Sequence, residues 1–305
     1  MIQILRPVVA LTLSLLLFPA TTAQQFADPE FDTRVEHPAY KKNYPRVLFD
    51  EAHNNFHTAT GRYKPFVDLI TNDGYHVVRN RKEFAKASLG TFKILVIANA
   101  LGVEDMDDDG ADAPAFTDEE CDAVRDWVKG GGALLLIADH APFGAAAENL
   151  GKRFGVDMSK GFTHDAENSL KDLGGPSIIV YSRAQNLIAD HPITRGRNDG
   201  EQISRVIAFS GQSLKGPEGS TAFLSLADTA TDKPDRASET AVSAAGRSQG
   251  LAFKFGKGRV VVLGEAAMLS AQVDGIEKLP MGMNVPGSDN RQLALNIMHW
   301  LSGLL

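Results

Sequence analysis

A doubly wound, mostly parallel α/β fold is what this sequence predicts, and three observations carry the prediction. "FKILVIANA" and "ALLLIAD" are continuous apolar runs of the kind buried on both faces of a parallel sheet. Segments of helical period lie between such runs, so strand and helix alternate. "LAFKFGKGRVVVLGE" then reads as a hairpin turning through Gly256-Lys257-Gly258, and "NRQLALNIMHWLSGLL" as an amphipathic closing helix.

The elements follow in order. "RVLF" is a short first strand, and "GRYKPFVDLITNDGY" a helix with Phe66, Leu69 and Ile70 on one face. "HVVR" is a second strand, before "FKILVIANA". In "FTDEECDAVRDWVKGGG", Thr117 is a good N-cap, Glu120 stands at the capping-box position, and glycines stop the helix. "ALLLIAD" and the helix "AAAENLGKRFG" continue the alternation. From 158 to 249, Gly, Ser, Asp and Thr punctuate the short runs "PSIIVYS", "SRVIAFS" and "TAFLSLA", which reads as an irregular insert or sheet extension within a single domain spanning 45–305.

The N-terminus reads as a targeting segment. Arg6 precedes an apolar run from Val8 to Phe18, and "PATTA" ends in small residues, the pattern of a signal peptide cleaved after Ala23. The run is shorter than the ~20 residues of a spanning helix, so no stable membrane anchor is expected after cleavage, and the protein is expected to be secreted or periplasmic. Residues 24–44 read as an extended lead-in. Without residues 1–23 the chain keeps 30 basic and 38 acidic residues, a net −8 that argues against a nucleic-acid partner. Cys121 is the only cysteine, so no internal disulfide can form.

Ligands of an open parallel sheet sit beyond the carboxyl ends of its strands. The residues there are Asp50, Glu51 and His53, then Asn99, then Asp139 and His140, then Glu265. Each is a ligand or proton-transfer group, and their agreement predicts a functional rim, against the alternative of a solvated sheet edge. Asp139, His140, Glu51 and Glu265 are the candidate catalytic residues. His53 and His57 stand four apart and would share a face if "HNNFHT" were helical, which with Asp50 and His140 makes a candidate site for zinc, manganese or iron. The same stretch has poor helix propensity and reads equally as a loop. Asp139 and His140 precede Pro142 and Gly144 in a tight strand-to-helix turn, where the alternative is a capping Asp beside a packed imidazole. Glu265 has Arg291 as an alternative, purely structural, partner. Asn54, Asn99 and Asn290 are candidate substrate-binding residues. Asp105, Asp107 and Asp109 match the opening of a calcium loop, but its twelfth position is Phe116 rather than Glu, leaving a looser calcium site or a solvated acidic loop. His164-Asp165 lies in the insert, from which it could reach the rim, while His191-Pro192 reads as a turn.

"VLFDEAHNN", "AFTDEECDAVRDWVKGGGALLLIAD", "DHPITRG", "GKGRVVVLGEAAMLS" and "SDNRQLALNIMHWL" together resemble the class I glutamine amidotransferase-like superfamily, in an exported branch near the trehalose-utilisation and gliding-motility type domains. The resemblance runs discontinuously from Arg46 to Leu301 and implies a flavodoxin-like α/β fold. Glutaminases of that superfamily carry a cysteine nucleophile in the elbow after the strand matching "ALLLIAD". Here the elbow reads "ADHAPFG", with no Cys, Ser or Thr, and Cys121 falls in the preceding helix, on its packing side. Glutaminase chemistry therefore lacks its nucleophile. Two expectations remain. One is a hydrolase, metal-dependent if the candidate ligands hold an ion, acting on a glycan, peptide or small ester. The other is a non-catalytic module binding a ligand or a protein.

Overall fold

The computed structural model describes residues 25–170 and 175–305, so the expected signal peptide lies outside the described residues. The sheet is built by β1 (Arg46–Asp50), β2 (His76–Asn80), β3 (Ile94–Ala98), β4 (Ala133–Ile137), β5 (Ser248–Phe255) and β6 (Gly258–Leu263). Its helices are α1 (Lys64–Asn72), α2 (Asp118–Lys129), α3 (Phe143–Arg153) and α4 (Asn290–Ser302). The strand order is β2-β1-β3-β4-β6-β5, parallel throughout except for β5, which pairs antiparallel with β6 as the expected hairpin. Beyond β5 the sheet is extended by Leu214–Lys215 and Asp157–Met158, with Thr221–Ser225 also paired to β5.

Alternate residues of each central strand feed different cores, as a two-faced sheet requires. Val47, Phe49, Val96 and Leu135 pack with Phe66, Leu69 and Ile70 of α1 and Leu293 and Ile297 of α4. Leu48, Leu95, Leu136 and Val262 pack on the other face with Val124 and Val128 of α2 and Leu150 of α3. The capping box of α2 forms as its sequence requires: Glu120 N–H donates to Thr117 Oγ1 at 3.2 Å, and Thr117 N–H donates to Glu120 Oε2 at 3.0 Å.

Segment 158–249 is a set of short antiparallel pairs rather than a second core. Ile178–Ser182 pairs with Arg205–Phe209, and Thr231–Lys233 lies between Phe162–His164 and Val242–Ser243. The lead-in begins as a strand, Gln25–Ala27, held by Ala271–Asp274. Gly211 and Gly264 let these additions approach β6: a Cβ on Gly211 would lie 2.2 Å from Gly264 O, and one on Gly264 would lie 2.2 Å from Gln212 O. That close approach brings Gln212 to the elbow after β4, where its Nε2 donates to the carbonyls of Ala138 and Asp139 at 2.8 and 3.0 Å.

Candidate functional site

A cleft of about 840 Å³ opens at the carboxyl ends of β1, β3, β4 and β6. Its lining includes His57 from the loop after β1, Asn99 after β3, Asp139 and His140 after β4, and Ala267 after β6. The insert supplies Ser177, Phe209, Ser210 and Arg236, and the lead-in supplies Gln25. The expected rim is therefore a concavity, although only part of the expected residue set faces it. The lining of a hollow of about 850 Å³ between 32–41 and the start of α4 includes two ion pairs, Arg34 with Asp32 and Arg197 with Glu201.

Asp139 is the cleft's buried acid. Its carboxylate accepts from His140 N–H at 2.7 Å, while its own N–H donates to Asn99 Oδ1 at 3.1 Å. Burial raises the Asp139 pKa, opposed by His140, by the backbone amides of His140 and Ala266, and by Arg236. Behind it, Glu265 is fully buried and accepts from the amides of Ala267 and Met268 at 2.6 and 2.7 Å. Burial first, and the charge of Asp139 second, push the Glu265 carboxyl well above the usual carboxylate range. Two interacting carboxyls with raised proton affinities are each protonated more readily than they would be in water.

His140 Nδ1 lies 2.6 Å from Ala141 O, and its Nε2 lies 3.2 Å from Arg236 Nη2. A guanidinium only donates, which assigns the proton to Nδ1 and leaves Nε2 as the acceptor. The imidazole stacks on Phe162 with centroids 4.5 Å apart, and Arg236 lies 4.8 Å over the same ring. On the other side Arg62 lies 4.3 Å over Phe56, which packs on Phe143. His57 is buried and stacks on Tyr63; burial, then the charge of Arg62, lowers its pKa to about 3, so it is neutral.

Several expected site residues serve the scaffold instead. His53 and His57 occupy a loop rather than a helix and have separate environments. His53 is buried with Nδ1 2.8 Å from Asp50 Oδ2 and Nε2 2.8 Å from Glu120 Oε1, so neither nitrogen has a lone pair free for a metal. Asp50 is further tied to Asn80 Nδ2 at 2.9 Å. Among the described residues, no three His, Cys, Asp or Glu side chains come together in a metal-holding arrangement, so Asp50, His53, His57 and His140 do not form the expected centre. Glu51 is not a base facing the cleft: it accepts from Ala59 N–H at 2.9 Å and pairs with Arg79 Nη2 at 2.7 Å. Asn54 is exposed outside the cleft. Asn290 locks the start of α4, bonding the backbone N–H and carbonyl of Ile207 at 2.9 and 2.7 Å. Glu265 does not meet Arg291, whose Nη2 donates to Arg34 O at 2.6 Å.

In the acidic loop, Asp105 Oδ1 accepts from Asp107 N–H at 3.0 Å, a self-contained turn. Asp105 and Asp107 border the cleft mouth, and Asp109 is exposed without lining it, so the three do not form a calcium cage. His164 and Asp165 do not line the cleft. His191 caps a single helical turn, its Nδ1 accepting from Ile193 N–H at 3.2 Å. Cys121 is wholly buried in α2, where burial pushes its thiol up to about 12. A thiol reagent should therefore leave the native protein unlabelled and react fully after denaturation; labelling of the native state would place Cys121 in an opening segment.

Arg62, Arg236 and Gln272 are cleft residues that sequence reasoning passed over. None follows a predicted strand, and each arrives from a loop or an antiparallel addition whose placement only the folded chain reveals.

No protein-family model matches the chain, and no curated protein matches it in sequence. Among solved structures it is similar to the mmIFT52 N-terminal domain, with a TM-score of 0.59 and 14% identity over 84% of this chain and 97% of that one. That likeness is one of fold. A ThuA-like protein from Bacteroides uniformis matches at a TM-score of 0.44 and 12% identity, over 88% of this chain and 93% of that one. A second ThuA-like protein, from Parabacteroides merdae, matches at 0.46 and 11% identity, over 86% and 91%. The last two are too distant in shape to carry an argument.

Proposed function

We propose that the chain is an exported glutamine amidotransferase-like protein without glutaminase activity, and that its cleft is a hydrolase site working through a carboxyl pair. The observation that carries this reading is Asp139: a buried carboxyl that lines the cleft and interacts with the still more deeply buried Glu265. A base poised by burial in this way is suited to take a proton from water. Asn99 is fixed beside it, because Asp139 N–H occupies Asn99 Oδ1 and leaves the buried Nδ2 without an acceptor among the described residues. Turned into the cleft, that donor would hold an oxygen on which charge develops. No thiol is required, and the elbow "ADHAPFG" offers none.

The test is hydrolysis of nitrophenyl esters, nitrophenyl glycosides and peptide anilides by purified protein, with and without a chelator. Turnover that survives the chelator and disappears in Asp139→Asn is the expected result. No turnover of any of the three bond classes would leave the same cleft as a binding module, the reading favoured by its surplus of hydrogen-bonding groups.

A further inference from the structure

Among the described residues, three buried side-chain atoms belonging to cleft residues have no hydrogen-bond partner: Asn99 Nδ2, His57 Nδ1 and Gln272 Oε1. All three residues are more than nine-tenths buried. Each is screened from solvent in the unliganded protein, and three such unmet groups beneath the lining of one cavity are completed when their side chains turn to meet a ligand's own polar groups. The three are not equivalent. Asn99 Nδ2 donates, Gln272 Oε1 accepts, and neutral His57 does either according to tautomer.

Two guanidiniums join them. Arg62 donates through Nε to Gln25 O at 3.1 Å and rests on Phe56; burial alone lowers its pKa, and no carboxylate among the described residues offsets it. Among the described residues, Arg236 is engaged by His140 and the Phe162 face. Asp105 and Asp107 stand at the mouth and Asp139 at the floor, so the cleft is not a cationic trap. That balance disfavours a polyanion such as a nucleoside triphosphate and suits one negative charge on a molecule that also donates hydrogen bonds. Phe56 and Phe143, 5.5 Å apart, offer an apolar wall between the polar positions.

We infer that the cleft takes a small hydroxylated carboxylate, with the carboxylate on Arg62, hydroxyl groups on Asn99, His57 and Gln272, and its apolar face against Phe56 and Phe143. Arg62 is the selecting residue, because its planar fork matches a carboxylate in two bonds. The inference rests on the cleft being the functional site, as proposed above, and names the ligand class that the site would hold.

The test is calorimetry and thermal denaturation of the purified protein with glucuronate, tartrate, glucose and inorganic phosphate. Glucuronate or tartrate should bind saturably and raise the melting temperature, with glucose and phosphate weaker. Arg62→Gln should weaken carboxylate binding by at least about tenfold. Its unliganded melting temperature should stay within a few degrees of wild type, since Arg62 holds one carbonyl and rests on one partly exposed ring. Failure of both carboxylates to bind, binding unchanged by Arg62→Gln, or a response to glucose or phosphate equal to that for the carboxylates would overturn the inference. Binding is read without turnover, so carboxylate affinity retained in a protein with no hydrolytic activity would sink the hydrolase reading alone.

Discussion

His53→Ala is expected to cost about 3–5 kcal/mol of folding stability, because it strips the partner from two buried carboxylates at once. The imidazole bridges Asp50 and Glu120 at 2.8 Å on either side, between the rings of Phe84 and Phe116 at 4.6 and 4.7 Å. Without it Asp50 and Glu120 repel across a cavity. Burial lowers the His53 pKa, but the bonds and charges of Asp50 and Glu120 outweigh it and leave the pKa raised. The stabilisation from a raised histidine is fully present below its unfolded value of about 6.5 and fades as pH rises through the folded value. Glu120 acts in the opposite sense: its pKa is lowered, so its contribution is present above its unfolded value and is lost as acid protonates it. Denaturant unfolding across pH should therefore show the largest gap between wild type and His53→Ala in the mildly acidic range, narrowing as the solution turns alkaline. A gap of constant size would mean that the ring contributes packing alone.

Asp139→Asn should have the larger effect on activity and a reversed effect on stability. If Asp139 is the base, its loss should lower turnover by at least about a hundredfold. Turnover of the wild-type protein should rise with pH as Asp139 ionises. Asp139 and Glu265 both have raised pKa values in the fold, so each favours the native state below its unfolded pKa and withdraws that support as pH climbs through the folded one. The amide removes the charge that disfavours ionised Glu265. The variant should therefore melt at the wild-type temperature or a few degrees higher at neutral pH, a gain of up to about 1 kcal/mol. A strongly destabilised Asp139→Asn would instead make Asp139 a structural acceptor for the amides of His140 and Ala266.

Much of the frame was legible because it depends on local pattern. The runs at 94–98 and 133–137 are strands, Thr117 and Glu120 cap α2, and Gly256-Lys257-Gly258 joins the β5–β6 hairpin, each from contacts within a few residues. The rim was legible for the same reason, since a parallel strand announces its own carboxyl end. The sequence by itself thus determined the doubly wound sheet, the absence of an elbow thiol, and the placing of Asn99, Asp139 and His140 at one edge. Which strand-end groups actually face the cleft was decided only by tertiary structure. Asp50, Glu51 and His53 satisfy every local expectation of a site, yet Glu120 from α2, Asn80 from β2 and Arg79 beside it claim them. Arg62, Arg236 and Gln272 satisfy none and enter the cleft all the same. A buried polar group takes whichever partner the fold brings within about 3 Å, and that partner is often far away in sequence.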